Sequence, residues 1–198
     1  MSSDVQVGKI VRISGPVVEI NGMNRAQLYE IVKVGEEQLI GEIIRIRKTG
    51  TNHFSTVQVY EETTGLKPRE EAVATGTPLS AELAPGLITQ IYDGIQRPLP
   101  DLRIEVGNFI TRGITSSPLD FKRKFDFKPL VEKGDKIKGG SHIGEVRESN
   151  LVTHKIMVPP EIGMAKISSI AAADKYTISE EIAQIDVKGQ YPFTVPLT

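Results

Sequence analysis

Three features of this 198-residue sequence predict a mostly β protein made of two modules and a connector. Short Val- and Ile-rich runs recur through residues 5–60. A second series of short apolar runs, divided by glycine pairs, occupies residues 114–190. Eighteen glycines and twelve prolines are scattered between the runs as turn signals. Strand-like runs about 8–12 residues apart, bounded by turns, are the pattern of closed or sandwiched all-β units. We therefore expect a small N-terminal β-barrel over 1–74, a connector with a short helix over 75–113, a second β-rich, barrel-sandwich-like unit over 114–190, and a closing stretch over 191–198.

The first block begins VQVGKIVRISGPVVEI (5–20), which Gly15-Pro16 divides into two runs. Further strands are expected at Tyr29 to Val34, Gln38 to Arg47 and Ser55 to Tyr60, with turns at Gly35 and Thr49-Gly50. In IGEIIRIR, Ile40, Glu42, Ile44 and Ile46 share one side, and Ile43, Arg45 and Arg47 share the other. This is the alternation of a half-buried strand. Five or six such strands within about 70 residues favour closure, because a barrel leaves no exposed edge.

Residues 62–80 read as turns, with Gly65, Pro68, Gly76 and Pro78. Leu87, Ile88, Ile91, Tyr92 and Ile95 then fall on one face at helical spacing. The spacing predicts a helix over 86–94, with Gly86 at its start and Pro98 as its stop. In the second block, Gly134-Asp135 and Gly139-Gly140 separate short apolar pieces, followed by HKIMVPPEIGMAKISSI and YTISEEIAQIDV. No repeat of 20–50 residues is evident.

Composition excludes several functions. The formal net charge is -1, so no global electrostatic footprint for nucleic acid or membrane exists. The absence of cysteine removes disulfides and thiolate metal sites and fits a reducing compartment. No apolar run approaches the roughly 20 residues of a membrane helix, and MSSDVQVGKIVRI lacks a secretory core. The cytoplasm is the expected setting.

Catalytic signals are equally sparse. A phosphate-binding loop needs GxxxxGK[ST], so that glycine amides and a lysine reach the phosphates. The glycine-rich stretch from Gly134 to Gly140 lacks it and reads as a pair of turns. His53, His142 and His154 form no metal-ligand pair in sequence. The carboxylate pairs Glu61-Glu62, Glu70-Glu71 and Glu180-Glu181 read as solvated, since neighbours on a strand point to opposite faces. Pro160-Glu161-Ile162-Gly163 matches the PxxG turn of biotinyl or lipoyl carriers, with Lys155 as the nearest lysine, but the MKM or DKA-like context of an acceptor lysine is missing. A carrier module and an independent enzyme with dispersed residues remain the alternatives. In DGIQRPL (93–99), Arg97 is read as a partner for a carboxylate or a cap on backbone carbonyls. No catalytic, cofactor or metal residue is assigned.

GKIVRISGPVVEI (8–20), VKVGEEQLIGEIIRI (32–46), VQVYEETTGLKP (57–68), PLSAELAPGLITQIYDGIQRPL (78–99) and HKIMVPPEIG (154–163) occur in an order that resembles the catalytic A subunit of archaeal and vacuolar-type rotary ATPases. The resemblance implies a crown-forming barrel over 1–74. It implies the first stretch of a nucleotide-binding domain over 75–113, and the family's bulge, or non-homologous region, over 114–190. A return toward the nucleotide-binding domain is implied over 191–198. It further implies B subunits and neighbouring A subunits of a hexameric ring as partners, peripheral-stalk contact, and a place in the ATPase head at the membrane. ATP synthesis or hydrolysis coupled to proton or sodium transport, with Mg-ATP, would belong to the full-length protein. The expected chain is an excised or split N-terminal piece. Its 87–95 face, lacking a nucleotide-binding sheet to pack on, is expected to fold back, to form an intermolecular contact or to be mobile.

Overall fold

The computed structural model describes residues 6–88, 90–187 and 193–197. The chain divides into two units. The first is Met1–Ala81 with Asp93–Ser116, and the second is Glu82–Tyr92 with Ser117–Thr198.

In the first unit β1 (Gln6–Ser14), β2 (Val17–Asn21), β3 (Glu30–Val34), β4 (Leu39–Thr49), β5 (Asn52–Val59) and β6 (Glu71–Pro78) close into a barrel in the order β1-β2-β5-β4-β3-β6. The break at Gly15-Pro16 is the β1–β2 turn, with Gly15 at φ 58°, a conformation glycine adopts without Cβ strain. The barrel is filled by alternate residues, among them Ile10, Val18, Ile20, Leu39, Ile43 and Val57.

Two readings of this block are corrected. Residues 71–78 are a strand, not turns. Gly76 (φ 80°) bulges, and its N–H is held by the buried Glu30 carboxylate at 2.7 Å, while Glu30 also accepts the Gln27 N–H at 2.8 Å. A bulge disguises a strand as a loop because it interrupts the two-residue period. In β4 the inward residues are Leu39, Gly41 and Ile43, whereas Ile44 and Ile46 are exposed. A register shift between Ile43 and Arg45 breaks the alternation there.

Among the described residues of 86–94 no helix forms. Gly86 adopts φ 109°, and a turn is closed by Gln90 N–H to the Leu87 carbonyl at 3.2 Å. The backbone here is held by side-chain carboxylates outside any helical pattern. Glu148 accepts from Gly86 (2.7 Å) and Ile88 (2.9 Å), and Asp93 accepts from Ile95 (3.0 Å) and Arg97 (2.8 Å). The connector's short helix is α1, Leu99–Val106. Pro98 therefore starts a helix, at the N-cap, and a second proline sits in its first turn, where no intrahelical N–H is needed. Leu102 is buried beneath α1.

The second unit contains β7 (Lys124–Pro129), β8 (Lys136–Ile137), β9 (His142–Arg147), β10 (Thr153–Met157), β11 (Ala165–Ile170), β12 (Asp174–Thr177), β13 (Glu181–Val187) and β14 (Phe193–Pro196). They form two four-stranded sheets, β10-β9-β7-β12 and β14-β13-β11-β8. One core includes Phe125, Phe127, Ile143, Ile156, Ile167 and Ile185. Of the closing stretch, the described residues 193–197 add β14 to β13 and bury Val195 and Leu197 in this core. Leu87, from the predicted apolar face, packs against the same core, while Ile91 is 65% exposed.

Candidate functional site

A dense polar constellation of the first unit surrounds Arg97. Its Nε donates to Asp93 Oδ2 at 2.7 Å, and one terminal nitrogen donates to Glu61 Oε1 at 2.5 Å and to the Ile114 carbonyl at 3.2 Å. Glu61 lies just beyond β5 and spends its other oxygen on the Gly113 N–H at 2.9 Å. Asp93 Oδ1 accepts the Ile95 and Arg97 amides, forming a tight loop that places Gln96 at φ 62°. A planar guanidinium offers donors in a fixed fork, and here they fix three chain segments relative to one another.

The charges are mutually tuned. Burial alone would raise the Asp93 pKa, but hydrogen bonds from the Arg97 amide, the Arg97 guanidinium and the Ile95 amide outweigh it and hold the carboxyl below its ordinary value. Burial likewise acts against the Arg97 charge, and its bonds to Asp93 and Glu61 overcome that. A cleft of about 400 Å³ beside the cluster is lined by Tyr60, Glu61, Leu79, Asp93, Ile95 and Arg97. Arg97 is already committed to three acceptors, and both carboxylates have donors. The geometry therefore suits a clasp joining 93–97, 61 and 113–114 better than a phosphate or proton-transfer site. Arg112 extends it, with Nε 2.8 Å from Glu37 Oε2. Of the two alternatives read for Arg97, carboxylate partner or carbonyl cap, the structure shows both contacts.

A second tie lies in the second unit, where Glu148 anchors the 86–88 backbone. His154 on β10 is half-buried. That burial lowers its pKa, and the Glu148 charge partly opposes the shift. Sequence reasoning passed over Glu148, since a carboxylate 60 residues from the amides it holds leaves no local signal.

The remaining candidates are dispersed. His53, His142 and His154 lie on β5, β9 and β10, and among the described residues no group of three or more His, Asp or Glu is arranged to hold a metal ion. Glu180 closes its own turn onto the Thr177 N–H at 2.5 Å. Glu70 accepts the Lys67 N–H at 3.2 Å. Lys155 is in mid-strand opposite Glu145, not at a hairpin tip, and the β9–β10 tip, ESNLV (148–152), contains no lysine. A carrier lysine therefore has no exposed tip to occupy there. Pro160 and Ile162 instead crowd Gly139, whose N–H meets the Ile162 carbonyl at 2.8 Å. No helix among the described residues is long and apolar enough to cross a membrane.

Comparison with known families locates both units. Residues 10–76 match the model of the ATP synthase alpha/beta family, beta-barrel domain, and residues 116–196 match that of the ATP synthase alpha/beta subunit barrel-sandwich domain. Among curated relatives, the chain is 50% identical over 186 residues to the A subunit of the A-type ATP synthase of Methanopyrus kandleri, covering 94% of this chain and 30% of that protein. It is 50% identical over 181 residues to the counterpart from Pyrococcus abyssi, covering 91% and 17%, and 46% identical over 181 residues to the counterpart from Methanosphaera stadtmanae, covering 91% and 30%. The chain thus spans less than a third of the length of these relatives.

Proposed function

Because the chain belongs to the ATP synthase alpha/beta family through both of its β-units, we propose that it serves assembly, not chemistry, within the A subunit of an A-type ATP synthase. The barrel would join neighbouring A and B subunits in a ring. The barrel-sandwich unit, corresponding to the bulge, would face a peripheral stalk. The connector with α1 would lead into a nucleotide-binding domain. ATP synthesis or hydrolysis, Mg-ATP and coupled proton or sodium movement would belong to the full-length protein, in the ATPase head on the cytoplasmic side of the membrane.

One observation carries this reading: the matched residues are two β domains, and the Arg97 cluster ties chain segments together through Asp93, Glu61 and the Ile114 carbonyl. Arg97 spends Nε and one terminal nitrogen on Asp93, Glu61 and the Ile114 carbonyl, and no GxxxxGK[ST] string occurs in the chain. Native mass spectrometry of the chain with its cognate B subunit tests it, with a stable complex expected. Titration calorimetry with Mg-ATP should detect no binding tighter than millimolar in the chain alone. Tight nucleotide binding, or failure to associate with B, would overturn the proposal.

A further inference from the structure

The outer side of sheet β14-β13-β11-β8 contains a local contradiction. Lys136 on β8 is directly opposite Lys166 on β11, and Lys166 is opposite Asp186 on β13. Like charges at directly opposed positions destabilise a sheet. Neither lysine belongs to an ion pair among the described residues. Exposed Lys133 and Lys138 flank Lys136 in sequence. The Lys166 stem runs over the Gly134 turn, where a Cβ would stand 3.8 Å from Lys166 Cε. Asp135, whose carboxylate accepts the Glu132 N–H at 2.8 Å, forms no ion pair with either lysine among the described residues.

The lysines surround something apolar. Met164 is 66% exposed, and with Lys136, Ala165, Lys166 and Asp186 it lines a cavity of about 340 Å³. Methionine adapts its shape to different partners. Natural sequences break local rules chiefly where a function requires it.

We propose that this face docks an acidic polypeptide segment, with Lys136 and Lys166 taking carboxylates and the Met164 cavity taking an apolar side chain between them. Charge complementarity selects the partner. The chain as a whole is at -1, so the cationic excess is local. A polynucleotide fits less well, because no aromatic ring lines the cavity for base stacking. The inference does not rest on the ring-assembly reading.

The test uses a fluorescein-labelled peptide of glutamates around one leucine, followed by anisotropy and by amide shift mapping on the chain. Salt-sensitive binding with shifts at 136, 164 and 166 is expected. Lys136→Glu should weaken it tenfold or more. It should also raise the thermal midpoint by about 1–2 °C, since Lys166 would then lie between two carboxylates. Lys122→Glu, the same charge change in a loop, should do neither. The proposal fails if wild type does not bind, if the two variants bind alike, if the shifts map elsewhere, or if Lys136→Glu lowers the midpoint. Equal binding of a labelled oligothymidylate at this face would overturn the assignment to a protein partner.

Discussion

The Arg97 guanidinium meets the Glu61 carboxylate at 2.5 Å with side-chain exposures of only 13% and 9%. The pair joins the end of β5 to a loop 36 residues later in the chain. Removing one member of a buried pair strands the other charge, which is costlier than the pair itself is favourable. Arg97→Ala should therefore destabilise the first unit by about 2–4 kcal/mol, and Arg97→Lys should recover only part of this, because an ammonium cannot reproduce the fork. Amide exchange is the direct measure. Protection should fall across 93–97 and 113–114 and remain unchanged in β7 to β13.

The same clasp predicts an acid limit. Asp93 has a pKa below its ordinary value in the folded chain, so the unfolded chain takes up this proton first. Its stabilising contribution is complete above about pH 4. It is lost as the pH falls through the folded-state value. Carbon-detected titration should find Asp93 below the ordinary range, and Asp93→Asn should flatten the stability profile in that window. An ordinary Asp93 titration would refute the coupling.

His154 works in the same sense at milder pH. Burial favours its neutral form, against the weaker opposing pull of Glu148. A histidine with a depressed folded pKa contributes stability above its unfolded value of about 6.5. That stability declines as the pH drops through the window just below. Unfolding of the second unit should thus become easier from pH 7 to pH 5, and His154→Gln should reduce the slope. An imidazole titrating above 6.5 by proton NMR would reverse the sign.

How far the sequence reveals this molecule depends on the range of the forces involved. Strands β2 and β5 follow the two-residue period, and the hairpin turns fall on Gly15 and Gly50, so local chemistry suffices there. Strand β6 was hidden because the Gly76 bulge is stabilised by Glu30, 46 residues earlier. The 86–94 helix failed for a related reason: its apolar spacing is real, but Gly86 takes a left-handed backbone and distant Glu148 holds the segment by its Gly86 and Ile88 amides. Arg97 was legible as a pairing residue from DGIQRPL alone. Glu61 as its partner was not, since one glutamate of a Glu-Glu pair is indistinguishable from the other until the fold aims it.

The core of the second unit offers the sharpest packing test. Gly144 on β9 lies under the Phe127 ring, which packs edge-on against Tyr176 at 5.8 Å between centroids. A Cβ at Gly144 would overlap Phe127 Cε2 and crowd Cζ at 2.8 Å. Because Phe127 pairs in register with Val146 on β9 and Asp174 on β12, the ring cannot move away without disturbing β9 or Tyr176. Gly144→Ala should therefore cost about 1–3 kcal/mol, the usual penalty for overpacking a filled core. Gly163→Ala is the matched control, since nothing lies within 4 Å of its Cβ position and its φ is not in the left-handed region. That change should be neutral, or stabilise by about 0.4–1 kcal/mol through the unfolded state. Denaturant midpoints for the two variants decide it. Equal midpoints would mean that the Phe127 ring has room to yield.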